Sequence, residues 1–167
     1  KSLLDYHGKA QRYYVCGMLE SIGLKTFISC NEAQAKEIPA AYNVIVDAEK
    51  YKGCGPMAGV LSAFEVYPGT SLLAVGCDYP LIRKEDFHQL IDCMIPGTKA
   101  LSFYNPETGI REPLLGIYTP ACSEILKEQF ITGNYSLNHF LKSTGAETIV
   151  PSDISTLKSV DTMEEYQ

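Results

Sequence analysis

An α/β sandwich around a mostly parallel sheet is the fold class this sequence predicts. Three observations carry the prediction. Short apolar strand-like runs alternate with helical patterns along the chain; two of the runs end on an acid, Asp47 and Asp78; and a glycine-rich turn, Gly53-Cys54-Gly55-Pro56, opens a helix between them. Strands and helices in alternation bury their apolar faces most readily with helices covering a parallel sheet. A chain of 167 residues that is 46% hydrophobic can build a sizeable core, so residues 1–167 are expected to form one domain.

The elements follow in order. Lys9 to Ile22 places Val15, Met18, Leu19 and Ile22 at helical spacing, and Gly23 supplies the stop. Leu24–Cys30 and Asn43–Asp47 read as strands. Pro56 suits the first position of a helix from Met57 to about Val66. Leu72-Leu73-Ala74-Val75, within a strand from Ser71 to Gly76, reads as buried on both faces. Lys84–Met94 is amphipathic, with Phe87, Leu90, Ile91 and Met94 on one stripe. Lys99–Tyr104 and Ile110–Tyr118 are strands joined by the turn Asn105-Pro106-Glu107-Thr108-Gly109. Helices near Ala121–Phe130 and Ser136–Thr144, a strand at Glu147–Val150, and the capping-box spacing of Thr162-Met163-Glu164-Glu165 complete the pattern. The chain opens with polar residues leading into a helix, so the first βα unit is expected to lack its strand. In parallel α/β proteins that strand often lies mid-sheet and carries the phosphate loop.

The balance of 14 Lys+Arg against 20 Asp+Glu gives a net charge of −6. That argues against a general binder of nucleic acid or of an acidic membrane, since a run of phosphates would go unneutralised. The six cysteines form no C-x-x-C pair and have no histidine at ligand spacing, which argues against a zinc site and fits a reducing, cytoplasmic setting. No apolar run approaches the ~20 residues of a transmembrane helix.

Ligands of open α/β sheets bind beyond the carboxyl ends of the strands, where Asp47 and Asp78 fall. For Asp78 two readings are open: a Mg²⁺ ligand, because one or two carboxylates plus waters and phosphates suffice for that ion, or a turn aspartate bonding nearby amides. Asp47 reads either as a partner for a ribose hydroxyl or as a solvated turn residue. Gly55, Pro56 and Gly59 either bring a ligand close to the backbone at a helix N-terminus or simply start and pack a helix. Lys1, Lys9 and Arg111 are phosphate partners or plain surface. No G-x-S-x-G and no Walker A loop is present, so a side-chain nucleophile is poorly supported.

Together these segments resemble one family, the molybdenum cofactor guanylyltransferases (molybdopterin-guanine dinucleotide biosynthesis protein A). The resemblance rests on Lys1-Ser2-Leu3-Leu4 with His7-Gly8-Lys9, on Val44-Ile45-Val46-Asp47, on Gly55-Pro56-Met57-Ala58-Gly59 with Leu61-Ser62, and on Cys77-Asp78-Tyr79-Pro80. Glu112-Pro113-Leu114 and Asp161-Thr162-Met163-Glu164-Glu165 are looser matches.

The resemblance implies a Rossmann-like three-layer nucleotidyltransferase that joins GMP from GTP to the phosphate of the molybdopterin cofactor and releases pyrophosphate, with Mg²⁺ as cofactor. It implies that Lys1 contacts GTP phosphates, that Asp47, Gly55, Pro56 and Gly59 line the nucleotide site, and that Asp78 holds the metal. Implied partners are GTP, molybdopterin and, transiently, other cofactor-biosynthesis proteins or acceptor molybdoenzymes. The rival implications are a cytidylyl- or sugar-phosphate nucleotidyltransferase, or a non-catalytic accessory domain of the same fold. This chain departs from the family pattern in three places. The family's glycine-rich loop and its strand are expected before Lys1, Ser159 and Asp161 stand where the family has asparagines, and Ser29, with Asn31 nearby, stands where it has another.

Overall fold

The structure, a computed structural model, describes residues 3–160. Helix α1 (Gln11–Ser21) ends where Gly23 takes a left-handed φ of 84°, the stop expected of that glycine. Strands β1 (Ile28–Cys30) and β2 (Val44–Val46) are shorter than their sequence runs. Between them lies a short helix, α2 (Glu32–Ala35), which the apolar periodicity does not announce. It is started by Asn31, whose side chain accepts from the Gln34 N–H while Gln34 bonds back.

Helix α3 (Pro56–Val66) begins at the proline as expected. Then come β3 (Leu72–Val75), α4 (Lys84–Asp92), the hairpin β4 (Ala100–Asn105) and β5 (Ile110–Tyr118), α5 (Cys122–Ile131), α6 (Leu137–Ser143) and β6 (Glu147–Ile149). Ser136 caps α6 by accepting from the His139 N–H. On α4, Phe87 and Leu90 are fully buried, whereas Ile91 is exposed, so the apolar stripe is narrower than its pattern. The terminal helix expected at Thr162–Glu165 lies outside the described residues.

Two apolar layers flank the sheet. Met57, Leu61 and Phe64 of α3 pack with Leu126 of α5, Phe140 of α6 and Tyr118 of β5. On the opposite face, Val15 and Met18 of α1 and Phe87 and Leu90 of α4 cover Leu101, Phe103, Leu115 and Ile117. Alternate residues of β4 and β5 therefore serve opposite cores, as strand pleating requires, and the three-layer expectation is met.

Of the four strand pairs among the described residues, β1–β2 and β4–β6 are parallel, while β5 runs antiparallel between β3 and β4. The strands fall into two groups, β1-β2 and β3-β5-β4-β6. In the first, Ile28 and Cys30 bond across to β2, which leaves the backbone groups of Ser29 pointing away from β2. In the second, the Gly76 N–H bonds to Leu114, so by alternation Ala74 faces β5 while Leu73 and Val75 present their backbone groups to the open edge. Leu72 and Ala74 pack on one core and Leu73 and Val75 on the other, so both faces of β3 are covered as read from the sequence. Each residue is only half-buried, however, β3 being an edge strand among the described residues.

A bulge interrupts the β4–β5 ladder. Ser102 faces Gly116 but Phe103 faces Glu112, so residues 113–115 have no β4 partner. Leu115 instead pairs with Val75 of β3. Such bulges are frequent next to functional sites, and this one adjoins Glu112.

Candidate active site

Asp78 sits in the turn after β3, held from three directions. Its carbonyl accepts from the Val160 N–H (2.8 Å); the Tyr79 carbonyl accepts from Gln11 Nε2 (3.2 Å) on α1; and the Tyr79 hydroxyl donates to Glu112 Oε2 (2.8 Å) on β5. His7 Nε2 also lies 2.8 Å from the Pro80 carbonyl. The half-buried Asp78 carboxylate folds back over Gly76, with Oδ1 2.5 Å from where a Cβ on that glycine would lie.

Glu112 brings a second carboxyl to this turn. Burial pushes its pKa up; the Tyr79 hydrogen bond opposes that rise, and the negative charge of Asp78 adds to it. Glu112 entered the sequence reading only as part of a loose motif. The signal available was its place before Pro113 at the start of a predicted strand, which does not reveal a contact made across 33 residues.

Asp47 stands at the other strand end. Its N–H continues the parallel ladder to the Cys30 carbonyl (2.9 Å), and its Oδ1 accepts from the Ser29 hydroxyl (3.3 Å). Burial raises the Asp47 pKa, and the Ser29 hydrogen bond partly offsets it. A carboxyl with a folded pKa above its unfolded value, near 3.8, contributes stability at acid pH that is lost as pH rises through the folded pKa. Asp47→Asn keeps the acceptor and removes the charge. Its thermal midpoint is therefore expected to fall less than that of the parent between pH 4 and 7; parallel pH–stability curves would contradict this.

The glycines have separate roles. Gly59 faces Ser29 and Asp47 so closely that a methyl group there would collide with the Ser29 hydroxyl as it stands and force that side chain to turn. Gly55 has φ 59° and open space around it, so its role is backbone geometry ahead of Pro56 at the N-terminus of α3. The Ser62 hydroxyl of α3 accepts from the Ala48 N–H (2.9 Å), fixing the helix against the end of β2.

The structure thus gathers Asp47, Ser29 and Gly59 at one strand end, and Asp78, Tyr79 and Glu112 at another. Lys1 lies outside the described residues, as does Asp161, while Ser159 is exposed. Among the described residues no three His, Cys, Asp or Glu side chains converge as a metal-binding group. The donor set therefore does not suit an all-protein cage. It fits Mg²⁺, which takes one or two carboxylates and leaves its other positions to water and phosphates.

An α/β sandwich with carboxylates at the carboxyl ends of its strands belongs to the class of α/β domains whose ligands bind at those strand ends. Residues 1–148 match the family described as MobA-like NTP transferase domain, and the chain belongs to it. Among curated proteins the chain is similar to the molybdenum cofactor biosynthesis bifunctional protein of Synechocystis sp., at 25% identity over 99% of this chain and 48% of that protein. It is also similar to the molybdenum cofactor guanylyltransferase of Pseudomonas putida, at 26% identity over 84% of this chain and 72% of that one. The chain thus spans about half the length of the first of these relatives. Among solved structures it resembles molybdopterin-guanine dinucleotide biosynthesis protein A from Archaeoglobus fulgidus, with a TM-score of 0.75 and 20% identity, covering 99% of this chain and 86% of that one. The shared fold is the mixed α/β nucleotidyltransferase type. No helix among the described residues is long and apolar enough to cross a membrane.

Proposed function

We propose that residues 1–167 act as one nucleotidyltransferase unit that moves GMP from GTP onto the phosphate of molybdopterin, in the cytoplasm and with Mg²⁺. The observation that carries the reading is the Asp78 turn after β3: its backbone is tied to Val160 and, through Tyr79, to α1 and β5, with Glu112 alongside. Bracing of this kind is unnecessary for a solvated turn aspartate and necessary for a group whose position sets a reaction geometry.

Asp78 would hold the metal, and Glu112, bonded to the neighbouring Tyr79, would add a second carboxyl to the same site. Mg²⁺, when bound, supplies positive charge to the triphosphate. In the transfer, an acceptor phosphate oxygen bonds to the α-phosphorus of GTP as the bond to pyrophosphate breaks. The attacking group is already an anion, so the protein needs to orient and neutralise rather than to supply a nucleophile. Asp47, bonded by Ser29, would accept from a ribose hydroxyl, and the N-terminus of α3 behind Gly55 and Pro56 would offer N–H groups to phosphate.

The test is calorimetric titration of GTP with and without Mg²⁺, with CTP in parallel. Binding of GTP that depends on Mg²⁺ is the expected result. Preference for CTP would reassign the chain to cytidylyl transfer, and failure of both would reassign it to an accessory role.

A further inference from the structure

We propose that the cleft between α1 and the start of α4 binds a phosphate-type oxyanion, at a site separate from the strand-end carboxylates. A cavity of about 250 Å³ opens there, lined by Lys9, Tyr14, Gly17, Met18 and Lys84. Tyr14, Gly17 and Met18 are three and four residues apart and so share one face of α1. Met18 is buried in the core that Phe87 and Leu90 of α4 help to build, which sets the two helices side by side. Lys84 is the first residue of α4, where the helix dipole adds to its positive charge. The cavity thus combines an apolar floor, a phenol ring and two ammonium groups.

Neither charge is compensated. Among the described residues no ion pair includes Lys9 or Lys84. Asp5 is occupied by the His7 N–H, and Asp86 by the Arg83 N–H and the Thr156 hydroxyl. Glu85, next to Lys84 in sequence, does not line the cavity. In a chain of net charge −6, two unpaired lysines around one cavity make a local positive site, which an anion between them relieves.

Lys9 is also held in place. Its Nζ lies 5.8 Å from the centroid of the Tyr14 ring, and 3.4 Å from where a Cβ on Gly17 would stand. The ring is itself stacked on His7, with centroids 4.0 Å apart. Glycine at position 17 leaves room beneath the ammonium that a larger side chain would fill. An ammonium is a compact charge with three donors and suits the oxygens of a tetrahedral phosphate, while the ring face suits an organic group attached to it. Free inorganic phosphate and the phosphomonoester end of an organic molecule share this chemistry. No lining residue belongs to the proposed nucleotide or metal site, so the inference does not rest on the guanylyl reading.

The experiment follows the isotope-labelled Met18 methyl group by NMR while inorganic phosphate, or phenyl phosphate, is titrated at constant ionic strength. Met57, buried in the other core, serves as the reference. A saturable Met18 shift with Met57 unmoved is the expected result. Lys9→Gln and Lys84→Gln are each expected to weaken phosphate about 5- to 10-fold, between the worth of an exposed ion pair and of a charge-assisted hydrogen bond. Gly17→Leu keeps both charges but fills the cavity, so it should abolish the shift. Its thermal midpoint should hold, because leucine is a better helix former than glycine.

Phenyl phosphate binding a few-fold tighter than phosphate would identify an organic ester as the ligand, and equal affinities the free anion; either upholds the site. A shift that sodium chloride alone reproduces would show charge screening only and overturn the proposal. So would the lack of a saturable shift, affinities unchanged in both lysine variants, or a shift that survives Gly17→Leu.

Discussion

Asp78→Asn is expected to lower Mg²⁺-dependent GMP transfer by about 10²- to 10³-fold, the range that loss of one charge-stabilising group at a reacting centre produces. Asparagine keeps the shape and leaves the Val160 bond intact, because that bond is made by the Asp78 backbone carbonyl. The midpoint of unfolding should therefore move little, and the loss should appear in turnover and in Mg²⁺ or Mn²⁺ affinity together. Steady-state transfer assays with metal titrations measure both. Activity within a few-fold of the parent would remove Asp78 from the metal site and leave it a turn residue.

Gly76→Ala should have an effect of similar size by a different route. A methyl group at Gly76 would lie 2.5 Å from Asp78 Oδ1, 2.9 Å from the Tyr79 ring and 3.3 Å from Leu114 Cβ. The ring and Leu114 belong to packed elements, so Asp78 and Tyr79 must shift. Overpacking of this kind costs about 1–3 kcal/mol. Displacing the carboxylate by ~1 Å costs on the order of 100-fold in rate. The variant should thus lose both stability and transfer, with the Tyr79–Glu112 bond lengthened in its structure. Gly59→Ala is the internal control: its clash is with the end of the Ser29 side chain, which can rotate away, so its losses should be smaller. If Gly76→Ala retained full transfer, the tight seating of Asp78 would be incidental to the reaction.

Much of the fold was legible because its signals are local. Gly23 stops α1, Pro56 starts α3 and Ser136 caps α6, each by backbone chemistry confined to a few residues. The hairpin β4–β5 was readable from two apolar runs and the turn between them. The misses have equally definite causes. Helix α2 is one turn long, too short for apolar periodicity, although the Asn31–Gln34 capping pair was present as a signal. Ile91 falls on the apolar stripe by spacing yet is exposed, because a periodic pattern fixes a face but not how far the neighbouring layer extends over it.

For the site, the sequence by itself determined which acids follow strands, Asp47 and Asp78, and that the helix between them opens on Gly55-Pro56. Those are properties of adjacent residues, set by local propensity and by the ends of apolar runs. Only the tertiary structure decided the company they keep. It brought Glu112 of β5 to Tyr79, Gln11 to the Asp78 turn from 68 residues away, and Val160 to the same turn from the far end of the described chain. It also left Arg12 buried with its Nε unpartnered, of which its position in a helical pattern gave no hint. Hydrogen bonds and desolvation act over a few ångströms in space, whatever the separation along the chain, so these partners become visible only once the layers have packed.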